Sequence, residues 1–347
     1  MLPNEFSAAV LAEINLPLNI QSSIKVPKLK LGQVLVKVKY AGLCHSQVME
    51  ARGKRGEDKF LPHMLGHEGS GEVVALGEGV SKVAVGDYVV LGWIRGKGLD
   101  AGGTQYESPI GTINAGGVTT FSEYTVVSEN RCVKLESSFP LDLAVLFGCA
   151  LPTGAGMVLN QMQPKTGSTV AVLGLGGIGL SALLALNKFD LERVIAIDVS
   201  EEKLALAKEL GATDTLLVSP TLVEEVNAIV GGGVDYCLEA AGSTQTIEAG
   251  FSLLNRNGHL LFASHPEAGE KISLDPFELI CGKTIKGSWG GGSQPDKDVP
   301  ELMRIIKELG LPVHKLLSHR YTLDEINQAL DDLEDRKIVR ALIEIDV

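Results

Sequence analysis

The chain has 347 residues, of which 45% are hydrophobic and 21% charged, and its formal net charge at pH 7 is −12. This balance is typical of a soluble globular protein of roughly two domains, which excludes a disordered chain. The spread of acidic charge predicts no nucleic-acid or membrane partner. No charged leader precedes an apolar run, so we expect a cytoplasmic protein, whose five cysteines are thiols or metal ligands rather than disulfides.

The N-terminal part, from Phe6 to about Phe139, consists of short β-type runs broken by glycine. These runs are VLVKVKYAG, GSGEVVALGEGV, GDYVVLGW and FSEYTVVSEN. Short strands with frequent turn signals predict an irregular, partly barrel-like β domain.

From about Thr153 the pattern changes to alternating strands and helices. The apolar run VAVL at 170–173 predicts a strand buried on both faces, and Gly174, Gly176 and Gly179 follow it at GxGxxG spacing, with Gly177 between them. These glycines permit a tight turn, close approach of a pyrophosphate and close packing of the next helix. A second strand ends at Asp198, whose carboxylate is placed to accept hydrogen bonds from adenosine ribose and to repel a 2′-phosphate. This favours NAD over NADP.

The same alternation continues to the C-terminal part. EEKLALAKELG predicts a helix that stops at a glycine, and VDYCLEAAG, GHLLFAS and TIKGSWGGG predict further strands. Repeated βα units predict a doubly wound parallel sheet. VPELMRIIKELG then predicts a helix, and IVRALIEID a strand.

Three residues of the first half are candidate metal ligands. Cys44 in AGLCHS, His67 in LGHEGSGEV and Cys149 in LFGCALPTGAG each lie near a glycine. Two thiolates and one imidazole suit Zn²⁺, and three protein ligands leave a position open for catalysis. Taken singly, a cysteine is more often a small buried hydrophobic residue, and a histidine more often a hydrogen-bonded structural residue, than a metal ligand.

The order of AGLCHS, GHEGSGEVVALGEGV, CALPTGAG and GLGGIG resembles the zinc-dependent alcohol dehydrogenases of the medium-chain dehydrogenase/reductase (MDR) superfamily, over essentially the whole chain. The resemblance implies an α/β protein with a GroES-like, β-rich catalytic domain and a Rossmann NAD-binding domain. The catalytic domain would comprise residues 1–152 and 292–347, and the Rossmann domain residues 153–291. The active site would lie in the cleft between them.

The resemblance also implies roles for individual residues. The catalytic zinc ligands would be Cys44, His67 and Cys149, and Glu68 would be a carboxylate that can approach the metal. An alternative for Glu68 is a buried ion pair with a basic partner such as Arg340.

Further roles concern the proton relay, the substrate and the cofactor. Ser46 would take the substrate proton, and Trp93 would form a wall of the substrate pocket or simply pack in the core. The expected cofactor contacts are His45 and Arg340 at the pyrophosphate, Gly174, Gly176, Gly177 and Gly179 in the turn, Thr153 and Ile178 behind the nicotinamide, and Asp198 and Lys203 at the ribose. His45 would also serve as acid/base in the relay, whereas Lys203 could equally be a solvated charge.

Three departures from the family pattern bear on function. The segment 92–112 lacks the four cysteines of a structural zinc site, so we expect one zinc per chain. Gln47 replaces an aspartate that orients the ligand histidine, and Met49 replaces a relay histidine. The glycine-rich segment 96–117 is either a mobile lid or a plain surface loop.

The expected activity is reversible oxidation of an alcohol to an aldehyde or ketone, with hydride transfer to NAD, by a homodimer or homotetramer. Alternatives are a polyol or sugar dehydrogenase on the same scaffold, in which glutamate commonly replaces Cys149, and a catalytically impaired NAD-binding protein. A zinc-free quinone or enone reductase would usually lack Cys44 and Cys149 and prefer NADPH.

Overall fold

The computed structural model describes residues 3–263 and 265–345. Residue contacts divide the chain into two compact units, each described by itself below. The first unit comprises residues up to Cys149, Gln294–Pro300 and residues from His314 onward, and the second comprises Ala150–Ser293 and Glu301–Val313. The domain limits expected from the sequence, 1–152, 153–291 and 292–347, stay a prediction. Ser264 and Asp346, which end two of the predicted strands, lie outside the described residues.

The first unit contains a five-stranded sheet of order β2-β1-β4-β8-β7 and a seven-stranded sheet of order β10-β6-β5-β3-β18-β17, with β9 also paired to β3. Its strands are β1 (Glu5–Leu11), β2 (Asn19–Lys25), β3 (Gln33–Leu43), β4 (His63–Met64), β5 (Glu68–Leu76), β6 (Tyr88–Gly92), β7 (Gln105–Ser108), β8 (Gly111–Asn114), β9 (Tyr124–Ser128), β10 (Cys132–Lys134), β17 (His319–Thr322) and β18 (Ala341–Glu344). Its helices are α1 (His45–Ala51), α2 (Leu141–Ala144) and α10 (Ile326–Glu334).

Strand β3 is the centre of this unit. It is paired antiparallel with β5, β9 and β18, and most of its side chains are buried. The register with β18 places Ala341 opposite Leu43, directly before Cys44. The fold therefore brings residues from the far end of the sequence beside the first candidate metal ligand.

The second unit is built on a parallel six-stranded sheet of order β13-β12-β11-β14-β15-β16. Its strands are β11 (Thr169–Leu173), β12 (Arg193–Asp198), β13 (Asp214–Leu217), β14 (Val234–Glu239), β15 (Leu254–Phe262) and β16 (Thr284–Gly287). Its helices are α3 (Ala150–Gly156), α4 (Gly177–Leu186), α5 (Glu201–Glu209), α6 (Leu222–Val230), α7 (Thr244–Ser252) and α8 (Pro276–Ile280), while α9 (Pro295–Leu309) contributes residues to both units. Strand β11 is buried along its whole length, as its apolar run predicts. The expected doubly wound parallel sheet is confirmed.

The segment 96–117 is tied to the rest of the first unit. Residues Gln105–Asn114 form the β7–β8 hairpin, and the buried carboxylate of Glu129 accepts hydrogen bonds from the backbone N–H of Leu99 at 2.8 Å and of Ser81 and Lys82 at 2.6 Å. Asp296 accepts from the N–H of Lys97 at 2.5 Å. A mobile lid and a plain surface loop are the two expectations for this segment, and neither includes the two carboxylates that hold its backbone.

In the described part of the chain, no single helix is long and apolar enough to cross a membrane. Two helices joined at a bend, Leu141–Gly148 and Ala150–Met162, are together long and apolar enough by length and composition alone.

Candidate active site

The sulfur atoms of Cys44 and Cys149 and a ring nitrogen of His67 lie within 4.8 Å of one another. Cys44 precedes α1, His67 precedes β5, and Cys149 follows the short 3₁₀ turn Val145–Gly148. The first unit alone thus brings residues that lie up to 105 positions apart in the sequence into one cluster. Two soft sulfur donors and one imidazole fit Zn²⁺.

Glycines close to the ligands make this convergence possible. A Cβ at Gly148 would lie 2.7 Å from the Glu68 Cβ, and a Cβ at Gly42 would lie 2.7 Å from the Glu68 carboxyl group. A Cβ at Gly92 would lie 2.9 Å from the Gly148 carbonyl oxygen. Because a side chain at any of these positions would push the ligand segments apart, the glycines are part of the site. Our sequence analysis did not identify them, although the glycine just before Cys149 and the one two residues before Cys44 were a signal.

One nitrogen of His67 is left for a metal. The Nδ1 atom lies 2.6 Å from Gln47 Nε2 and 3.4 Å from Ser46 Oγ, whereas Nε2 is buried without a hydrogen-bond partner. The Gln47 Oε1 atom is also buried without a partner. The oxygen and nitrogen of an amide are interchangeable by a half-turn, which would let Oε1 accept the Nδ1 proton. That orientation leaves the Nε2 lone pair available as a ligand.

The two thiols of the cluster differ in acidity. A hydrogen bond with Cys149 holds the pKa of Cys44 well below its usual value; burial opposes this shift, and His67 adds to it. The same hydrogen bond, together with burial, raises the pKa of Cys149 well above its usual value. Cys44 is therefore the more acidic of the two thiols, and the thiolate is the form in which cysteine binds metal.

Glu68 is fully buried and forms an ion pair with Arg340, which is itself only 3% exposed. Glu68 Oε1 accepts from Arg340 Nη2, while Glu68 Oε2 has no hydrogen-bond partner. Burial raises the pKa of Glu68, and Arg340 opposes this shift. The structure thus contains the ion pair that was the alternative for Glu68, with one carboxylate oxygen beside it unused.

The remaining predicted residues of the first unit lie close to the cluster. His45 is exposed and Ser46 half-buried at the start of α1, and Met49 is buried in the same helix. Trp93 directly follows β6, and its carbonyl oxygen accepts a hydrogen bond from Arg131.

The glycine-rich turn of the second unit has the geometry that its sequence predicts. Gly174 has φ +91°, and a Cβ there would lie 2.5 Å from the Ala241 nitrogen. A Cβ at Gly179 would lie 1.9 Å from the Gly174 carbonyl oxygen, so only glycine lets α4 start so close to β11. No atom lies within 4 Å of a Cβ at Gly176, which leaves its backbone open to a ligand.

Asp198, at the end of β12, closes this turn. Its Oδ2 accepts from the Leu175 N–H at 2.6 Å, and its Oδ1 accepts from the Ser200 N–H at 3.0 Å. The other predicted cofactor residues of this unit are Thr153, buried in α3 with an unpartnered Oγ1, Gly177 and Ile178, half-buried at the start of α4, and Lys203, half-buried in α5. The turn and its acid therefore fit the adenosine and pyrophosphate parts of NAD.

Two family models match the chain. The zinc-binding dehydrogenase model covers residues 177–308, and the alcohol dehydrogenase GroES-like domain model covers residues 30–137. They define the class as a zinc-binding dehydrogenase with a GroES-like domain.

Full-length similarity narrows the class. The chain is 31% identical to S-(hydroxymethyl)glutathione dehydrogenase of Saccharomyces cerevisiae, over 99% of this chain and 97% of that protein. It is 32% identical to alcohol dehydrogenase class-3 of Drosophila melanogaster, over 97% and 96%. The crystal structure of benzyl alcohol dehydrogenase from Acinetobacter calcoaceticus superposes with a TM-score of 0.88 at 31% identity, covering 99% and 100%. The chain belongs to the zinc-dependent alcohol dehydrogenases of the MDR superfamily, and it is an NAD-dependent oxidoreductase.

Proposed function

We propose that Cys44, His67 and Cys149 hold one catalytic zinc ion per chain, with Glu68 as a carboxylate that can approach it, and that the enzyme works on a small-molecule alcohol in the cytoplasm. The observation that carries this proposal is the partly buried cluster of two sulfurs and an imidazole nitrogen that has no hydrogen-bond partner among the described residues. When bound, zinc supplies a Lewis acid for the alcohol oxygen, and NAD supplies the hydride acceptor.

The residues at the start of α1 carry the proton. Ser46 Oγ, half-buried and 3.4 Å from His67 Nδ1, would take the proton of the alcohol while it passes its own hydroxyl proton onward. The exposed imidazole of His45 is the next group able to hold it and to release it to water. The Met49 thioether cannot hold or pass on the proton, because it carries no exchangeable proton. Trp93 orients the substrate beside these groups.

Gln47 orients the metal ligand without adding charge. After a half-turn of the amide, Gln47 Oε1 would accept the Nδ1 proton of His67, which would hold the ring in place and leave Nε2 as the nitrogen for the metal. A neutral amide donates less electron density to the imidazole than a carboxylate does. We therefore expect the bound metal to be a stronger Lewis acid, and more weakly held, than with aspartate at this position.

The second unit binds the cofactor. The open backbone at Gly176 and the neighbouring Gly177 receive the pyrophosphate, and Asp198 accepts hydrogen bonds from the adenosine ribose. The remaining proposed contacts follow from the positions that match the family's cofactor-binding residues. They are Thr153 and Ile178 at the nicotinamide, Lys203 at the ribose, Gly174 and Gly179 in the turn, and His45 and Arg340 at the pyrophosphate. Since Arg340 also pairs with Glu68, its cofactor role is the weaker of its two assignments.

A single zinc per chain is supported by how the segment 96–117 is held. No cysteine occurs between Cys44 and Cys132. Backbone N–H groups of this segment bind the carboxylates of Glu129 and Asp296 instead.

We further propose a homodimer or homotetramer that joins through the edge strand β16. Large apolar side chains near this edge are exposed: Phe277 by 66%, and Ile280 and Trp289 by 80%. An unpaired strand edge flanked by apolar surface favours association.

Elemental analysis of the wild type, Cys149→Ala and Cys132→Ala tests the proposal. Cys132 is also a buried thiol of the first unit but lies outside the cluster, and burial raises its pKa to about 12. We expect about one zinc in the wild type and in Cys132→Ala, and none in Cys149→Ala. NAD⁺ reduction with an alcohol panel should fall in Cys149→Ala by more than the roughly 100-fold expected for loss of an outer partner.

NAD binding, followed by fluorescence titration, shows whether the second unit of each variant is folded, and light scattering gives the oligomeric state. Full turnover of zinc-free protein would refute the metal assignment. One zinc with NAD binding and no turnover on any alcohol would indicate a catalytically impaired NAD-binding protein.

A further inference from the structure

A second cluster with the donors of a metal site lies between α1 and β4. One potential ligand atom from each of Glu50, Asp58 and His63 lies within 4.8 Å of the other two. The Nε2 atom of His63 is 2.7 Å from Asp58 Oδ2 and 4.0 Å from Glu50 Oε1. This second cluster shares no residue with the Cys44–His67–Cys149 cluster and contains no sulfur.

The imidazole of His63 has a fixed tautomer. Its Nδ1 lies 3.0 Å from the carbonyl oxygen of Met64, which can only accept a hydrogen bond, so Nδ1 carries a proton. In the neutral ring Nε2 then has a lone pair, and the Asp58 carboxylate oxygen 2.7 Å away is also an acceptor. Two acceptors at this distance require a cation between them. That cation is either a second proton on the ring or a metal ion.

The charges of the second cluster favour a divalent ion. Burial raises the pKa of Asp58, but hydrogen bonds from the Phe60 N–H and from His63 outweigh burial and lower its pKa overall. Glu50 adds a second carboxylate, and Arg55 Nη1 lies 3.8 Å from its Oε2 at an exposed position where such a pair is weak. One proton on His63 would leave the two carboxylates half neutralised, whereas a divalent ion with a neutral imidazole balances both.

The spacing and the exposure of the three side chains suit a bound ion. With metal–ligand bonds of about 2.1 Å, two ligand atoms of one ion lie about 3–4 Å apart, and the observed 2.7 and 4.0 Å bracket this spacing. The side chain of His63 is 7% exposed, that of Asp58 13% and that of Glu50 29%. The nitrogen is therefore fixed inside the protein, while the carboxylates give an ion a route from solvent and leave room for water ligands.

We propose that Glu50, Asp58 and His63 bind a divalent cation of the Mn²⁺ type, for which two carboxylates, an imidazole and water are suitable ligands. Glu50 belongs to α1, which begins directly after Cys44, and β4 ends three residues before His67. The ion thus links two elements that adjoin proposed zinc ligands in the chain, and its role is to stabilise the first unit. It exchanges with solution, so it adds nothing to the zinc that the purified protein retains. This inference does not depend on the proposed function.

The test is a titration of the zinc-loaded enzyme with Mn²⁺, in which electron paramagnetic resonance (EPR) measures free Mn²⁺. We expect about one bound Mn²⁺ per chain. Glu50→Gln and Asp58→Asn each remove a ligand charge with little change of shape, and each should weaken Mn²⁺ binding by more than about 10-fold. Cys149→Ala should bind Mn²⁺ as the wild type does, because Cys149 belongs to the other cluster.

Glu57→Gln is the matched control. Glu57 is exposed, directly precedes Asp58 and lies outside the second cluster, so its loss should change the Kd for Mn²⁺ by less than about 2-fold. No binding of Mn²⁺ to the wild type would overturn the inference and leave His63 and Asp58 as an ion pair that shares a proton. Binding that Glu50→Gln and Asp58→Asn weaken no more than Glu57→Gln does would also overturn it, since the acidic surface would then hold the ion.

Pulsed EPR of Mn²⁺ bound to the wild type keeps the test decisive even where a variant fails to fold. Coordination by His63 predicts a coupling from an imidazole nitrogen, and a bound Mn²⁺ without this coupling would overturn the inference. Mn²⁺ at about 100 times its Kd should also raise the Tm of the wild type and of Glu57→Gln by a few degrees, but not that of Asp58→Asn. An equal Tm shift in all three proteins would overturn the stabilising role.

Discussion

Glu239 of the second unit and Glu68 of the first unit are both fully buried, and they differ in how their carboxylate oxygens are used. Glu239, at the end of β14, accepts hydrogen bonds on Oε1 from the N–H groups of Ala241 and Gly242 and from the Thr246 hydroxyl, at 2.7–3.0 Å. Glu68, the first residue of β5, has one carboxylate oxygen paired with Arg340 and the other without a partner among the described residues. The first carboxylate fixes a turn, whereas the second keeps an unused oxygen beside two thiols and an imidazole.

This difference teaches where to look for chemistry in the chain. In a folded protein nearly all buried polar groups have hydrogen-bond partners. A buried carboxylate oxygen without a partner lowers the stability of the fold, so we look for its role in binding or catalysis. Glu68 Oε2, His67 Nε2 and Gln47 Oε1 are all buried without a hydrogen-bond partner among the described residues. All three atoms belong to the Cys44–His67–Cys149 cluster or to residues next to it.

Breaking the Glu68–Arg340 pair should have the largest effect on stability. In Glu68→Gln the Arg340 charge stays buried without a partner, so we expect the free energy of unfolding to fall by about 3–5 kcal/mol. Glu68→Gln combined with Arg340→Met should recover most of that loss, because no uncompensated charge remains. Urea titration in the presence of a chelator measures the effect apart from metal binding.

Glu344→Gln is the matched control for Glu68→Gln. Arg320 and Glu344 form an ion pair at 2.7 Å between the neighbouring strands β17 and β18. Unlike Arg340, Arg320 is exposed to solvent. We expect a loss below about 1 kcal/mol. A loss in Glu68→Gln no larger than this would show that the buried pair contributes little to stability.

Changing Glu239 should have a smaller effect. Glu239→Gln keeps an acceptor oxygen but loses the charge that strengthens three hydrogen bonds, so we expect a loss of about 1–3 kcal/mol. Zinc content should stay at the wild-type value, since this carboxylate belongs to the second unit. Zinc loss in Glu239→Gln, measured by elemental analysis, would contradict the separation of the two roles.

The smallest effect is expected at Glu129 and depends on pH. Burial raises the pKa of Glu129, but hydrogen bonds from Leu99, Ser81 and Lys82 outweigh burial and lower its pKa overall. The stabilisation is therefore complete above the unfolded pKa near 4.5 and is lost as pH falls through the lower folded value. Glu129→Gln should cost about 1 kcal/mol at pH 7, and the difference from the wild type should shrink between pH 5 and 3, as followed by thermal unfolding. A difference that is independent of pH would mean that the charge of Glu129 is irrelevant.

The sequence predicts the second unit better than the first, for a physical reason. Strands such as β11 are continuous apolar runs followed by a turn whose glycines are required locally, so both appear in a short window. The first unit instead depends on contacts between distant residues, such as Gly148 with Glu68 and Ala341 with Leu43. The candidate ligands were found through the order of motifs, and the orphaned atoms that support them are visible only in three dimensions. Short strands such as β4 and β7 carry no period of their own and were not predicted.

The pairing of β18 with β3 has a consequence for biosynthesis. Arg340 and Glu68 are 272 positions apart, and all residues of the second unit are translated between them. Since domains generally fold as they emerge from the ribosome, the second unit has its complete sequence before the first unit receives its last strand. Until Arg340 arrives, Glu68 has no counter-charge, and the seven-stranded sheet has an open edge beside β3. The nascent chain therefore passes through a stage in which the second unit has its whole sequence while the first unit still lacks β18 and the counter-charge of Glu68.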